Sequence, residues 1–230
     1  PLNAIMGFAD VGRKELLGPL GSPRYKQYLE DIHGAGSQLL GLIDDLLDIS
    51  RLELGQLQTN PEHTDLRAEI DYAVSVFKPE AAARNIRIEP DVAAHVPRVY
   101  TDRMRFRQIL TNLVSNAVKY SASGGCIQVT LNAAEHGGVE LTVRDDGPGM
   151  TAEELQKALS RFGRLGHPDT QNRSGVGLGL PIAQDLARLL GGTLTVHTAK
   201  GYGTRIVVRL DNMPTEGAVS GIDWAGKGAL

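Results

Sequence analysis

The chain has 230 residues, of which 41% are hydrophobic and 22% charged, and its net charge is -3. This size allows one or two domains, and the slightly acidic balance argues against a broad nucleic-acid-binding surface. The single cysteine excludes an internal disulfide framework and a cysteine-rich metal site, and it fits a reducing compartment. No stretch is apolar over the length that a bilayer requires, and no signal peptide is visible. Because the sequence begins at Pro1 within a helical pattern, we expect a longer parent protein, with any membrane anchor upstream.

Residues 1–54 are predicted to form a helical hairpin. A first helix over residues 1–17 and a long second helix over Pro23–Leu54 are separated by a glycine- and proline-rich turn. Apolar residues recur along the second helix in a heptad pattern, namely Tyr25, Tyr28, Ile32, Ala35, Leu39, Leu42, Leu46 and Ile49. The stripe is widened by Leu40, Ile43 and Leu47, which favours a bundle of more than two helices. We therefore predict a homodimeric four-helix bundle; the alternative is a hairpin packed against the rest of its own chain.

The remaining residues have the pattern of a mixed domain, so the chain as a whole is assigned to the α+β class. Residues 55–64 are polar and turn-rich and are predicted to be a linker, and residues 65–211 a folded domain. Its predicted helices cover residues 65–84, 103–120 and 180–190, with a short helix capped by Thr151, and its predicted strands cover 86–89, 99–100, 127–131, 139–143, 193–198 and 204–210. Residues 212–230 have little to bury and are predicted to be a disordered tail.

The predicted helix over 103–120 has one apolar and one polar face. Asn112, Asn116 and Lys119 follow one another at steps of four and three, so they line the polar face. An amide oxygen is a hard ligand suited to Mg²⁺, and a lysine can meet a phosphate as a point charge. The alternative is an ordinary solvated helix face.

A second candidate motif, Asp145-Asp146-Gly147-Pro148-Gly149, directly follows a predicted strand. A carboxylate at this point can accept a hydrogen bond from an exocyclic amine, and the glycines let a flat ring approach the backbone. The alternative is a plain turn, because aspartate, glycine and proline are all common in turns.

The third candidate motif is the glycine-rich run Gly175–Gly179, which leads into a helix with Pro181 in its first turn. The free N–H groups at a helix N-terminus favour an anion such as phosphate. The run is neither a Walker loop nor a dinucleotide fingerprint, because the required flanking residues and leading strand are absent. Residues 162–174, just before it, are polar and are predicted to be a mobile loop.

The order of these motifs resembles the ATP-binding domain of sensor histidine kinases, within the gyrase-type ATPase superfamily. The matched motifs are an N box over Arg107–Tyr120, a first glycine box over Asp145–Gly149, an F box over Phe162–Arg164, a second glycine box over Gly175–Gly179 and a last one over Gly201–Thr204. The hairpin resembles the family's dimerisation and phosphotransfer domain, and it is similar to those of alphaproteobacterial cell-cycle kinases. The implied architecture is a four-helix bundle followed by an α/β sandwich of the gyrase/histidine-kinase ATPase (Bergerat) fold.

The resemblance implies a role for each matched residue. The residues implied in catalysis are Asn112, Asn116, Lys119 and Arg164. Those implied in binding ATP are Asn112, Asn116, Lys119, Tyr120, Asp145, Gly147, Gly149, Phe162, Arg164, Gly175, Val176, Gly177, Leu178, Gly179 and Thr204. Within this set, Asn116 is the implied Mg²⁺ ligand, Asp145 reads the adenine amino group, and Arg164 reaches toward the γ-phosphate.

The implied activity is transfer of the γ-phosphoryl group of Mg-ATP to a histidine and then to an aspartate of a response-regulator receiver domain, by a cytoplasmic kinase core. In the family the phosphoacceptor histidine precedes the position of Pro1. We therefore expect these residues to bind Mg-ATP without autophosphorylating on that histidine. His33 and the other five histidines match no acceptor position. The alternatives are a pseudokinase or scaffold that docks a response regulator, and a gyrase- or MutL-type ATPase, which the heptad hairpin disfavours.

Overall fold

The computed structural model describes residues 1–134, 138–163 and 176–211. The chain divides into two compact units, Pro1–Leu57 and Gln58–Leu230. Within the described ranges, no helix is both long enough and apolar enough to cross a bilayer. The predicted tail over 212–230 lies outside the described residues.

The first unit is the predicted helical hairpin, formed by α1 (Leu2–Arg13) and α2 (Pro23–Glu53). α2 begins where the Ser22 side chain accepts a hydrogen bond from the Arg24 backbone N–H, and Pro23 occupies its first turn. The prediction that the first helix reaches residue 17 is wrong by four residues. Glu15 adopts a left-handed φ of 52°, which is the usual way for a helix to end, and Leu16 and Leu17 are exposed.

Small residues let the two helices approach closely. A Cβ at Gly36 of α2 would lie 2.7 Å from Met6 Cγ of α1, and a Cβ at Gly12 of α1 would collide with Leu29. Ala9 is buried between them at 2% exposure. The heptad stripe, by contrast, stays largely open, with exposed fractions of 42–58% at Tyr25, Tyr28, Ile32, Leu39, Ile43, Leu46 and Leu47.

The second unit is an α/β sandwich. Its helices are α3 (Leu66–Ala83), α4 (Arg103–Tyr120), α5 (Ala152–Ala158) and α6 (Gly179–Leu189), and its strands are β1 (Glu62–Thr64), β2 (Arg87–Val92), β3 (Val99–Thr101), β4 (Cys126–Ala133), β5 (Val139–Asp145), β6 (Thr193–Thr198) and β7 (Thr204–Leu210). Five strands form a sheet in the order β2-β4-β5-β7-β6, parallel between β2 and β4 and antiparallel elsewhere. The predicted fold class is confirmed.

The core lies between this sheet and helices α3, α4 and α6, each of which contacts it. Residues that pair across antiparallel strands share a face, and the pairing register aligns apolar rows on the helix-facing side. One row is Leu131, Leu141, Val208 and Leu194, and the next is Val129, Val143, Ile206 and Val196. Residues of these rows on β4, β5 and the adjoining part of β7 are almost fully buried.

Two predictions about segment boundaries need correction. The predicted linker over 55–64 ends in a strand, because β1 pairs with β3 and the Thr64 hydroxyl donates a hydrogen bond to the Thr101 carbonyl, 3.2 Å away. The strand predicted at 86–89 continues to Val92, passing through Pro90. Proline is tolerated there because β2 is an edge strand, paired on one side with β4.

Candidate functional site

Helix α4 carries the predicted asparagine-rich face, and its other face forms the centre of the core. Its buried residues are Phe106, Ile109, Leu110, Leu113, Val114, Ala117 and Val118. Asn112, Asn116 and Lys119 are half-buried on the other side. The burial of the apolar face fixes the rotation of the helix, so it also fixes the direction in which the two amides point.

Polar contacts anchor the N-terminal end of α4. Asp102 is buried, and its carboxylate accepts hydrogen bonds from the backbone N–H groups of Arg105 at 3.0 Å and Asn60 at 2.8 Å. Further along, the Arg107 guanidinium donates to both carboxylate oxygens of buried Glu69, at 2.6 and 3.2 Å. These contacts from α3 and from the segment before it set the position of α4 along its axis.

A surface cleft of about 690 Å³ opens at the same end of α4. It lies between the segment Gln58–Glu62, Tyr72 of α3 and the helix turns from Arg103 to Thr111. The described residues that line it include none of the predicted ATP-binding residues. The candidate site is therefore defined by the converging motifs rather than by this cleft.

The C-terminal end of α4 is held by an arginine from the end of α3. The Arg84 guanidinium donates hydrogen bonds to the carbonyl of Val118 and to that of Ser121, the latter at 2.8 Å. The last carbonyls of a helix have no partner within the helix and carry a partial negative charge. Arg84 therefore satisfies and partly neutralises this end of the helix, beside the predicted nucleotide residues Lys119 and Tyr120.

The amide side of the site forms where α4 meets the start of α6. A Cβ at Gly179 would lie 3.6 Å from Asn116 Nδ2 and 3.7 Å from Asn112 Oδ1, so the backbone of the second glycine box passes directly over the amides. Asn112 Nδ2 is buried and has no hydrogen-bond partner among the described residues. The NH₂ group of this amide could donate a hydrogen bond to a bound polar ligand, and the amide oxygen beside it could accept one or bind a cation.

The start of α6 presents backbone N–H groups. No side chain of the described residues caps this helix, and its first turn contains no acidic residue. An uncapped N-terminus carries free N–H donors and a partial positive charge. Together with the two amides, it makes a pocket suited to phosphate oxygens and a hard cation such as Mg²⁺.

The second half of the site is formed at the end of β5. Asp145 lies in the row that follows the apolar rows on the helix-facing side of the sheet, and in this row it pairs with Thr204, which pairs with Thr198. Burial raises the pKa of the Asp145 carboxyl to about 6, although hydrogen bonds from the backbone N–H groups of Gly147 and Thr204 act in the opposite direction. A polar row on the inward face of a sheet indicates a binding surface.

Glycines around Asp145 have no room for a side chain. A Cβ at Gly147 would lie 2.9 Å from the carbonyl oxygen of Tyr120, the last residue of α4. Gly149 and Gly203 both have positive φ, of 63° and 77°, and a side chain on either would collide with backbone. The first and last glycine boxes therefore meet around the end of β5, and both touch the row that contains Asp145.

The F box and the second glycine box also meet. The Phe162 backbone N–H donates a hydrogen bond to the Gly177 carbonyl at 3.1 Å, and a Cβ at Gly177 would lie 2.6 Å from the carbonyl oxygen of Gly163. Phe162 is 56% exposed and has a φ of 61°, which is unusual for a bulky residue. Arg164 and Gly175 lie outside the described residues, as does nearly all of the predicted mobile loop.

The predicted site residues within the described ranges thus come together from five separate segments of the chain. Asn112 and Asn116 meet Gly179, while Asp145 and Gly147 meet Tyr120 and Thr204.

Two family models match this chain, one over the hairpin and one over most of the second unit. One, described as "Histidine kinase-, DNA gyrase B-, and HSP90-like ATPase", matches residues 101–214, and the other, "His Kinase A (phospho-acceptor) domain", matches residues 1–55.

The chain belongs to the sensor histidine kinases. Similar curated kinases are named "Cell-division control histidine kinase PdhS": the Brucella abortus protein is 32% identical over 216 residues, and the Brucella anthropi protein 33% identical over 223 residues. These alignments cover 90% and 94% of this chain. The chain spans about a fifth, 21%, of the length of these relatives.

Solved histidine kinases share the fold. Full-length ShkA in complex with AMPPNP has a TM-score of 0.74 at 26% identity, covering 91% of this chain and 42% of ShkA. The mycobacterial sensor kinase MprB has a TM-score of 0.56 at 29% identity, covering 69% of this chain and all of that structure. AdeS of Acinetobacter baumannii, at 21% identity, covers 93% of this chain with a TM-score of 0.64 and supports the fold alone.

Three residues that support the candidate site were not predicted from the sequence. Arg84 and Thr198 act through partners that are distant or ordinary in sequence, and no motif marks them. Asp102 does carry a signal, because an aspartate directly before an apolar-periodic helix is a common N-cap. Its second bond, to Asn60, spans 42 residues and has no local signature.

Proposed function

We propose that the chain is the catalytic core of a two-component histidine kinase that binds Mg-ATP and transfers its γ-phosphoryl group to a histidine, from which it passes to a response-regulator aspartate. One observation carries the proposal. α4 brings Asn116 to Gly179 and, one turn later, the Tyr120 carbonyl to Gly147 beside Asp145. Four residues of helix rise about 6 Å, so a single helix turn joins the amide side of the site to the carboxylate side.

On the proposed base side, Asp145 accepts a hydrogen bond from the adenine amino group. At neutral pH the carboxyl is mostly ionised, because its raised pKa of about 6 is still below 7. Gly147 carries no side chain that could cover the Asp145 carboxylate, and a Cβ there would lie 2.9 Å from the Tyr120 carbonyl oxygen. These features support a planar base with an exocyclic amine as the ligand.

On the proposed phosphate side, Asn116 would hold Mg²⁺ through its amide oxygen, with Asn112 beside it, and the start of α6 would donate N–H groups to phosphate oxygens. Mg²⁺ supplies charge neutralisation for the triphosphate when bound. Lys119 lies on the same face of α4 one turn beyond Asn116, where its ammonium meets the phosphates. Arg164 is proposed, from the motif match alone, to reach the γ-phosphate. ShkA, which shares the fold, was solved in complex with AMPPNP, and this supports a nucleotide as the ligand.

The hairpin is proposed to dimerise through its exposed stripe and to dock a response-regulator receiver domain. Side chains such as Leu39 and Leu46 are 49% and 45% exposed in the single chain. Burying each remaining half in a second copy would contribute about 1 kcal/mol per side chain. Because ATP is the phosphoryl donor, the core is proposed to work in the cytoplasm.

Two variants test the nucleotide site. Asn116→Asp places a negative charge on a neutral position where phosphates and Mg²⁺ are proposed to meet, so the affinity for Mg-ADP should fall at least about 10-fold. Asp145→Asn replaces the charged acceptor for the amine with a neutral amide, one of whose two acceptor oxygens has become an NH₂ donor, and should weaken ADP binding by a similar factor. Calorimetry measures both, and Asn132→Asp, an exposed position on β4, is the matched control.

Repeating the titrations in EDTA separates the two halves of the site. The Asn116→Asp defect should grow without Mg²⁺, because no cation then offsets the repulsion between the new carboxylate and the phosphates, whereas the Asp145→Asn defect should keep its size. If both variants bound Mg-ADP like the parent chain, the proposed site would be wrong. If the site bound nucleotide but a chain that includes the acceptor histidine transferred no phosphoryl group, the pseudokinase alternative would replace the kinase.

A further inference from the structure

A hydroxyl pair lies beside Asp145 at the end of the sheet. Thr198 Oγ1 accepts a hydrogen bond from the Met150 backbone N–H at 2.9 Å, and it lies 2.9 Å from the Gly203 carbonyl oxygen and 3.2 Å from Thr204 Oγ1. Thr198 thus has three polar neighbours within hydrogen-bonding distance. It sits on β6, which β7 separates from β5, the strand that carries Asp145.

The directions of these bonds follow from counting protons. A threonine hydroxyl has one proton and two lone pairs, whereas a carbonyl oxygen can only accept. Thr198 therefore gives its proton to the Gly203 carbonyl and accepts from Met150. The contact with Thr204 is then satisfied only if Thr204 donates its own proton to Thr198. This leaves the Thr204 oxygen with lone pairs and no proton to offer a ligand.

Thr204 and Asp145 are direct neighbours. They face each other in the β5–β7 register, so their side chains lie on the same face of the sheet. The Thr204 backbone N–H also donates a hydrogen bond to the Asp145 carboxylate. The hydroxyl oxygen and the carboxylate consequently form one polar surface made only of acceptors.

We propose that Thr198 is a positioning residue for base selectivity, because it holds the Thr204 hydroxyl as a hydrogen-bond acceptor beside the Asp145 carboxylate. An acceptor-only surface favours the amino group of adenine, directly or through a water, and it disfavours the carbonyl group at the same position of guanine. The inference rests on the proposed function, since it refines the base side of that site. Thr198 itself need not touch the nucleotide.

Calorimetric titration of the full 230-residue chain with Mg-ADP and with Mg-GDP tests this role. Thr198→Val is nearly isosteric but frees the Thr204 proton to turn toward the ligand. We expect ADP affinity to fall about 3- to 10-fold while GDP affinity stays level or rises, so the ADP/GDP preference shrinks. Thr198→Ser keeps the hydroxyl and should restore the parent preference. Thr195→Val, at an exposed position on the same strand, is the matched control.

The ratio of the two affinities is the decisive readout, because a loss of folded protein would lower both affinities together. Thr204→Val provides a second route if Thr198→Val does not fold, since it leaves Thr198 bonded to Met150 and Gly203. It should reduce the ADP/GDP preference as well. A preference that survives in either folded variant would overturn the inference alone. A parent chain that bound neither nucleotide would overturn the proposed function and this inference with it.

Discussion

The two units of this kinase use their long helices in opposite ways. α4 has 18 residues and buries seven of them within its own unit, whereas α2 has 31 residues and buries only Gly36 and Ile49. Both helices carry continuous apolar stripes. Since most helical stability in proteins comes from packing an apolar face, α4 is stabilised by its own sheet, whereas the apolar stripe of α2 is left exposed among the described residues.

This difference indicates that the second unit is built to hold a site in fixed positions, whereas the hairpin is built to present an apolar surface. The second unit can hold its polar row and its amides in fixed positions because its core is complete. The hairpin leaves its stripe open, so its stability should depend on protein concentration. Substitutions in the apolar stripe of α2 should therefore affect dimerisation alone, and substitutions in the apolar face of α4 should affect the stability and nucleotide binding of the second unit alone.

The largest effect is expected from Leu39→Glu combined with Leu46→Glu. A dimer would bury four carboxylates of this double variant in an apolar seam, and each unpaired charge costs several kcal/mol. The dimer should be absent at micromolar concentration, as measured by analytical ultracentrifugation, while Mg-ADP binding stays close to that of the parent chain. Gln38→Glu adds a charge at an exposed position of the same helix and should leave the dimer intact. A double variant that remained dimeric would exclude the stripe as the dimer surface.

A smaller effect, on the second unit instead of the hairpin, is expected from Phe106→Ala in α4. Phe106 is fully buried, and removing such a side chain costs about 3–5 kcal/mol of unfolding free energy. The second unit should melt at least about 6 °C earlier and lose nucleotide affinity, while dimerisation persists. Met104→Ala is the matched control, because Met104 lies on the same helix and is 62% exposed. Equal shifts in the two variants would contradict the assignment of Phe106 to the core.

The sequence predicted the second unit well because its patterns are strong and local. The α4 prediction, residues 103–120, agrees with the structure at both ends, and it was based on the continuous apolar face of this helix. The capping box of α5, formed by Thr151 and Glu154, was equally easy to predict from the sequence. β1 was missed because Glu-His-Thr shows no apolar alternation, and its strand exists only through pairing with β3.

The candidate site was predictable as a set of motifs but not as a geometry. Glycine boxes and asparagines could be found along the chain, whereas the meeting of Asn116 with Gly179 depends on the packing of α4 against α6. The role of Thr198 was hidden for a related reason. In sequence it is one threonine of an alternating strand, like Thr195. Its role becomes visible only from the hydrogen bonds that its hydroxyl makes in the folded protein.

The smallest expected effect concerns pH and distinguishes the polar row from the apolar rows beside it. Burial raises the pKa of the Asp145 carboxyl from 3.8 to about 6, so the folded chain without nucleotide loses stability from this group as pH rises between these values. Nucleotide binding needs the ionised form and should respond in the opposite direction. The ionised fraction falls about 10-fold between pH 7 and pH 5, and Mg-ADP affinity should fall by up to that factor.

The phosphates of ADP also titrate in this range, so the comparison must be made against Asp145→Asn, which shares that titration. The ratio of parent to variant affinity isolates the carboxyl group and should decline through a midpoint near pH 6. A ratio that stayed constant from pH 7 to pH 5 would mean that the carboxylate does not meet the base. Asp145 would then serve to hold the turn at Gly147, because its carboxylate accepts a hydrogen bond from the Gly147 backbone N–H at 2.8 Å.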